Sequence, residues 1–313
     1  MASVSTSEFQ FKGMSMSVYS TDGFTDPNYQ NLLQDEKIHG FNYVVLGDAA
    51  KVDSKTGQII TTETPSLDSL VNAIKLANQN GLQVMLKPQM LAYSPSRGQY
   101  DNIINNDAIP LDQQGFLTNY KNYILQLAKI AQDNNVPIMS IGNEMNAITG
   151  SQYTTYWNDL ITSVRNVYTG KLTYSPLTNT EYENTDEINH IQFWNKLDFI
   201  GADIYPNFPT GLTTPTVAQL DAWWKSQGWY NYLNSVSIKY NKQIIFTESG
   251  CSSFLGAANR YAYGDNLVGQ KATITDYQTQ ANWYQSFFDT WYGANKPSWL
   301  EGVFFWNNIS NDN

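Results

Sequence analysis

Short apolar runs alternate with amphipathic stretches along most of the chain. The runs Phe11 to Ser17, Phe41 to Gly47, Leu82 to Pro88, Ile138 to Asn146, Lys171 to Ser175, Leu197 to Tyr205, Ile244 to Gly250 and Gly302 to Trp306 have the length and apolar density of buried strands. Between them lie helical patterns at Asp26 to His39, Pro65 to Gln79, Phe116 to Asp133, Tyr153 to Val167 and Tyr277 to Tyr292. A short helix is predicted around Glu187 to Trp194, and a long one from Val217 to Tyr240 is interrupted at Gly228. In the second helix Leu67, Leu70, Ile74 and Ala77 share one stripe, with Pro65 at the start and Gly81 beyond the end. Lys51 to Thr64 reads as a polar loop and Ala92 to Gln114 as a long polar connection, and loops of that length in a compact domain are often functional.

Eight strands alternating with helices predict a closed (β/α)8 barrel of α/β class, whose strand C-terminal ends and following loops form the active face. A doubly wound open sheet shares the alternation, but no GxGxxG turn or Walker loop follows an early strand. No internal repeat or linker divides the chain, so a single catalytic domain is expected over residues 11–313 after a flexible segment 1–10. The sequence stops at Asn313 soon after the eighth strand. The helix that should follow is therefore expected to be short or absent, or to continue in a longer parent protein.

Of the 313 residues, 42% are hydrophobic, 14% aromatic and only 15% charged, which supplies a large core and excludes disorder over most of the length. The net charge of -10 leaves no surplus of Lys or Arg to neutralise phosphates, so nucleic acid is excluded as a partner. The one cysteine, Cys251, cannot form an internal disulfide and leaves both cytosol and exterior open. With only His39 and His190, neither a Ser-His-Asp enzyme nor a multi-histidine metal site can readily be assembled. No metal or cofactor is expected, and a monomer is favoured. Met1 to Ser7 lacks the charged and apolar regions of a signal peptide, and no apolar run is long enough to cross a membrane. An acidic, aromatic-rich cleft suits a neutral polysaccharide, whose CH faces pack on rings and whose hydroxyls bind amides and carboxylates. Such a substrate points to an exterior location, with the export signal removed.

The candidate chemistry lies at two strand ends. Ile141-Gly142-Asn143-Glu144 closes the fourth strand and Phe246-Thr247-Glu248-Ser249-Gly250 the seventh. A lone carboxylate there can be a solvated loop cap, but two of them three strands apart can face each other across a barrel mouth. Retaining glycoside hydrolysis needs two carboxyls roughly 5 Å apart, one protonated toward the leaving oxygen and one ionised beneath the anomeric carbon. With Glu144 as acid/base, burial and its neighbour hold the proton, while donors keep Glu248 ionised. Tyr205, ending the sixth strand, is placed to donate to Glu248, or else is a rim aromatic. Asn143 suits the sugar 2-hydroxyl, against a plain turn amide, and Trp306 suits an apolar floor under the reacting ring, against core packing. Lys87 and Gln89, after the third strand, can bind substrate hydroxyls or pair with a carboxylate. Asp48 and Asp203 stay in reserve as capping carboxylates. Trp157, Trp223, Trp224, Trp229 and Trp283 lie in helical patterns and read as packing rather than sugar platforms.

These motifs resemble clan A glycoside hydrolases over essentially the whole chain. Met85-Leu86-Lys87-Pro88, Asn143-Glu144 and Thr247-Glu248-Ser249-Gly250 together resemble glycoside hydrolase family 113, whose known members are largely β-mannanases. The resemblance implies a retaining double displacement with Glu144 as acid/base and Glu248 as nucleophile. It also implies Tyr205 orienting the nucleophile, Asn143 on the 2-hydroxyl and Trp306 flooring subsite minus one. Gln89 stands where the family tends to carry histidine, and Cys251-Ser252-Ser253 where it tends to carry an aromatic-basic pair. The expected activity is hydrolysis of β-1,4-mannan or glucomannan. A β-glucanase or transglycosylase on the same scaffold comes next, and a non-catalytic carbohydrate-binding barrel is the reading from another class.

Overall fold

The computed structural model of the chain describes residues 7–16, 18–47, 49–178, 186–206, 212–226, 228–259 and 274–307. Eight strands form one sheet: β1 (Phe11–Ser15), β2 (Tyr43–Leu46), β3 (Gln83–Leu86), β4 (Ile138–Asn143), β5 (Lys171–Ser175), β6 (Ile200–Ile204), β7 (Ile244–Ser249) and β8 (Leu300–Phe305). Neighbours run parallel in the order β5-β4-β3-β2-β1-β8-β7-β6. The seam between β5 and β6 is drawn shut by a parallel bridge from Leu177 to Asp203 and by bonds from Asp203 N to Pro176 O (3.1 Å) and Asp198 N to Leu172 O (2.8 Å). The barrel is therefore nearly closed. Gly201 permits that approach, since a Cβ there would lie 2.1 Å from the Tyr174 carbonyl oxygen.

The helices are α1 (Tyr29–Ile38), α2 (Leu67–Gln79), α3 (Gln113–Asp133), α4 (Thr154–Arg165), α5 (Glu187–His190), α6 (Val217–Ser226), α7 (Trp229–Tyr240) and α8 (Tyr277–Trp291). Side-chain caps set several starts. Ser66 accepts from Ser69 N ahead of α2, and Asp112 accepts from Gly115 N, which carries α3 three residues upstream of the Phe116 expected from apolar spacing. Phe11, Tyr43, Val45, Met85, Ile138, Phe199, Ile245 and Phe304 fill the barrel interior, while a larger apolar layer lies between strands and helices. Trp157, Trp223, Trp224, Trp229 and Trp283 all belong to that outer layer.

One region departs from expectation. The two stretches read as polar loops contribute to a second sheet, in which Ala49–Lys51 and Gln99–Asn102 flank Gln89–Ser94. The alternation is present in the sequence, with Met90, Ala92 and Ser94 turned inward, but polar partners across the ladder mask it. Of the segment 1–10 expected to be flexible, residues 1–6 lie outside the described residues. Phe9 is buried beside Tyr292, and Gln10 N donates to Glu301 O (2.8 Å), so order starts before residue 11. The expected short or missing final helix concerns residues 308–313, which also lie outside the described residues. Among the described residues no helix is long and apolar enough to cross a membrane.

Candidate active site

The C-terminal ends of β3, β4, β6 and β7 bring Lys87, Glu144, Asp203 and Glu248 together in the barrel mouth. One oxygen from each of the three carboxylates lies within 4.8 Å of the others, and all three side chains are buried or nearly so. Strict alternation alone does not produce this. In β7, Phe246 pairs with Ala202 but Glu248 with Asp203, so Thr247 is an extra residue, a β-bulge. Ile245 faces the barrel and Phe246 faces α8, where it packs on Phe287 and Trp291. An unbulged strand would then send Glu248 outward; the bulge returns it to the interior. The pairing of β4 with β5 slips in the same way between Ser140 and Asn143, just before Glu144.

Glu248 is held by donors. Tyr205 Oη donates to its Oε2 (2.8 Å), and the ammonium of Lys87 donates to Oε1. Lys87 is itself fully buried, 3.7 Å from Asp203 Oδ2, and it lies 5.4 Å from the Trp306 ring centroid. Burial alone would lower the lysine's pKa, but Asp203 and Glu248 together outweigh it and hold the ammonium above its ordinary range. Asp203, kept in reserve from sequence, thus completes the site: its Oδ1 accepts from Thr247 Oγ1 (2.5 Å), while burial pushes its carboxyl upward against the pull of Lys87. Gly250 lets β7 end beside β8, because a Cβ there would stand 2.4 Å from Trp306 O.

Glu144 has a different setting. Its backbone is left-handed, at φ 48°, with its N–H on Ser175 O (2.8 Å). The next amide, Met145 N, donates to Tyr174 Oη (2.8 Å), and that hydroxyl donates to the fully buried carboxylate of Glu187 (2.6 Å). Glu187 also accepts from Leu177 N and Thr149 Oγ1, and burial raises it to about 7 against these donors. Among the described residues the carboxylate of Glu144 takes one bond, from Asn102 Nδ2 (2.7 Å). Burial first, then the carboxylates of Glu248 and Asp203, push its pKa well above the ordinary range; Lys87 and Asn102 oppose this without prevailing. The pair therefore comprises one carboxyl that keeps its proton toward neutrality and one carboxylate bound by a cation and a phenol.

Of the remaining predicted residues, Asn143 is buried beside Glu144, and neither end of its amide has a partner among the described residues. Gln89 is buried at the start of the second sheet with its Oε1 likewise unpartnered. Trp306 follows β8, with Tyr19 set edge-on to it at 6.5 Å. Asp48 lies outside the described residues. The three carboxylates are close enough to share a cation, a place the Lys87 ammonium already occupies against two of them. Sequence reasoning missed Asn102, Tyr174 and Glu187. Only Glu187 carried a signal, as an acidic residue opening a short helix.

The family model of Glycoside Hydrolase Family 113 matches residues 15–311. A solved GH113 β-1,4-mannanase superposes with a TM-score of 0.71 at 23% identity, covering 96% of this chain and 88% of its own. The GH113 β-mannanase AaManA from Alicyclobacillus acidocaldarius gives 0.70 at 19%, covering 96% and 87%. A fungal β-1,4-galactanase structure gives 0.55 at 15%, covering 95% and 89%. At these identities the structures speak for the fold. No functionally curated protein matches the sequence.

Proposed function

The chain belongs to glycoside hydrolase family 113, and from that premise we propose an endo-β-1,4-mannanase that hydrolyses mannan or glucomannan with retention of configuration. The observation that carries the mechanism is the carboxyl pair with oxygens within 4.8 Å, the close spacing of double displacement rather than the wider gap that admits a water between the groups. Glu248 attacks the anomeric carbon while Glu144 passes its proton to the leaving oxygen, giving a glycosyl-enzyme ester. Glu144, now ionised, takes a proton from water as the water's oxygen displaces Glu248, and both carboxyls return to their starting states.

The surroundings of each group support its role. Lys87 and Tyr205 both donate to Glu248 on its bulged strand, and burial among acids favours the proton on Glu144. The unpartnered amide of Asn143 meets the 2-hydroxyl, a contact that strengthens as the oxocarbenium ion develops. Trp306 floors the reacting sugar, and Gln89 with its free Oε1 accepts from a substrate hydroxyl.

Mannan as substrate is supported by the family and by the two β-mannanases of similar fold. The test is reducing-sugar release from linear β-1,4-mannan, galactomannan, glucomannan, β-1,3-glucan, xylan and galactan by the wild type, Glu144→Gln and Glu248→Gln. Release confined to the mannose-containing glycans, lost in Glu248→Gln and reduced roughly 10²- to 10⁴-fold in Glu144→Gln, is expected. NMR of the first product should show the β-anomer. Release from another glycan alone replaces the substrate, and an initial α-anomer overturns the double displacement.

A further inference from the structure

The second sheet has two chemically distinct faces. Met90 and Ala92 turn inward and join the main apolar layer. On the opposite face Leu91 stands directly across from Asn102, and Tyr93 directly across from Tyr100. Because side chains alternate along a strand, these four residues line one surface. That surface begins at the catalytic acid, where Asn102 Nδ2 touches Glu144 Oε2 at 2.7 Å. It ends at two tyrosines that are 41% and 37% exposed, large values for aromatics in an ordered ladder. Their rings pack edge to face at 5.7 Å, and the Lys51 ammonium sits 5.2 Å from the Tyr100 centroid. The turn between the strands is tied by an Arg97–Asp101 ion pair at 2.8 Å, so the tyrosines stand on a braced hairpin.

We infer that Tyr93 and Tyr100 form an aromatic platform for a further sugar unit of the polysaccharide, on the wall of the cleft that leads away from Glu144. Two residues of strand separate Tyr100 from Asn102, a span of about 7 Å, on the scale of one pyranose ring. A glycan whose scissile oxygen lies at Glu144 therefore passes Leu91 and reaches the tyrosines within the next units. The CH face of a neutral pyranose packs on an exposed ring, and the phenol hydroxyls bond its outward hydroxyls. On this reading the exposed aromatic area of the two tyrosines is covered by the substrate.

This inference rests on the proposed glycanase reading and deepens it: the platform makes the enzyme sensitive to chain length. The test measures kcat/KM on β-1,4-manno-oligosaccharides of increasing length and on an aryl β-mannobioside. It compares the wild type, the Tyr93→Ala/Tyr100→Ala double variant and the Tyr93→Phe/Tyr100→Phe double variant. The wild type should gain with length. The alanine pair should lose that gain through KM, by roughly ten-fold on the longest chains, while keeping the wild-type rate on the aryl substrate. The phenylalanine pair, which keeps the ring faces, should retain most of it. An alanine pair with the wild type's dependence on length overturns the platform. A wild type inert on mannan but active on another β-glycan sinks the mannan reading alone, and the same three proteins are then compared on oligosaccharides of that glycan.

Discussion

The ends of β4 and β7 present the same residue type in opposite circumstances. Glu248 lies on a bulged strand, and a buried lysine and a tyrosine donate to it. Glu144 lies one residue past its strand in a left-handed turn, with the Asn102 amide on its carboxylate and a chain of buried bonds behind its backbone. One end supplies a cation and a phenol to its carboxylate; the other buries its carboxyl beside two further acids, which favours the proton. The contrast teaches that the proposed acid and the proposed nucleophile differ in the bonds each end provides, since both share one mouth and one set of neighbouring carboxylates.

The largest effect should come from removing the cation that serves the β7 end. Lys87→Met leaves Glu248 and Asp203 buried without their counter-charge, and breaking a buried pair by deleting one partner costs about 3–5 kcal/mol. Urea denaturation should show that loss. Turnover of the residual folded enzyme should fall with it, because among the described residues Tyr205 is then the donor left to the proposed nucleophile. A variant as stable and as active as the wild type would mean that the lysine is not what holds Glu248.

The β4 end is tested by Tyr174→Phe, which preserves packing but takes the acceptor from Met145 N–H and a donor from Glu187. A buried amide left unsatisfied costs about 1–3 kcal/mol. The kinetic signature separates positioning from mere loosening. Glu144 matters most when the leaving group needs its proton, so kcat on manno-oligosaccharides should drop about ten-fold, within the range general-acid catalysis supplies. Aryl glycosides with good leaving groups should be spared. Equal losses on both substrates would assign Tyr174 to stability alone.

How much of this was legible in the sequence follows the same division. The barrel could be read because each strand is a short apolar run and each helix has its stripe. Glu144 and Glu248 could be read because both follow such runs. The partners of Glu248, Lys87 and Tyr205, also end barrel strands, so the rule that singled out the proposed nucleophile also singled out its neighbours. Those of Glu144 do not. Asn102 arrives on a hairpin whose alternation is hidden by polar residues, and Tyr174 reads as one more core aromatic of β5. The two bulges were equally invisible, since an extra residue in a ladder is defined by its partner strand and leaves no mark on its own sequence. The site was found at strand ends, but the reason its carboxylates point inward belongs to pairing.

The smallest expected effect is also the sharpest test of which glutamate carries the proton. Asn102 Nδ2 donates to Glu144 Oε2, and a donor favours the ionised carboxylate, so this bond works against the burial that raises the group. In Asn102→Ala the proton is held more tightly. Since the proposed acid must be protonated to begin a turnover, activity is present below its pKa and lost as pH rises through it. The alkaline limb of kcat/KM should therefore move to higher pH, by about half to one unit for a bond of ordinary strength. The maximal rate should fall modestly as the carboxyl loses a constraint. Lys87→Met would also raise Glu144, but through a site stripped of its cation and with the nucleophile disturbed; Asn102→Ala touches the acid alone among the three carboxylates. A limb that stays in place while the rate falls would assign the asparagine to orientation only, and a limb moving to lower pH would mean that the group titrating there is not the one Asn102 contacts.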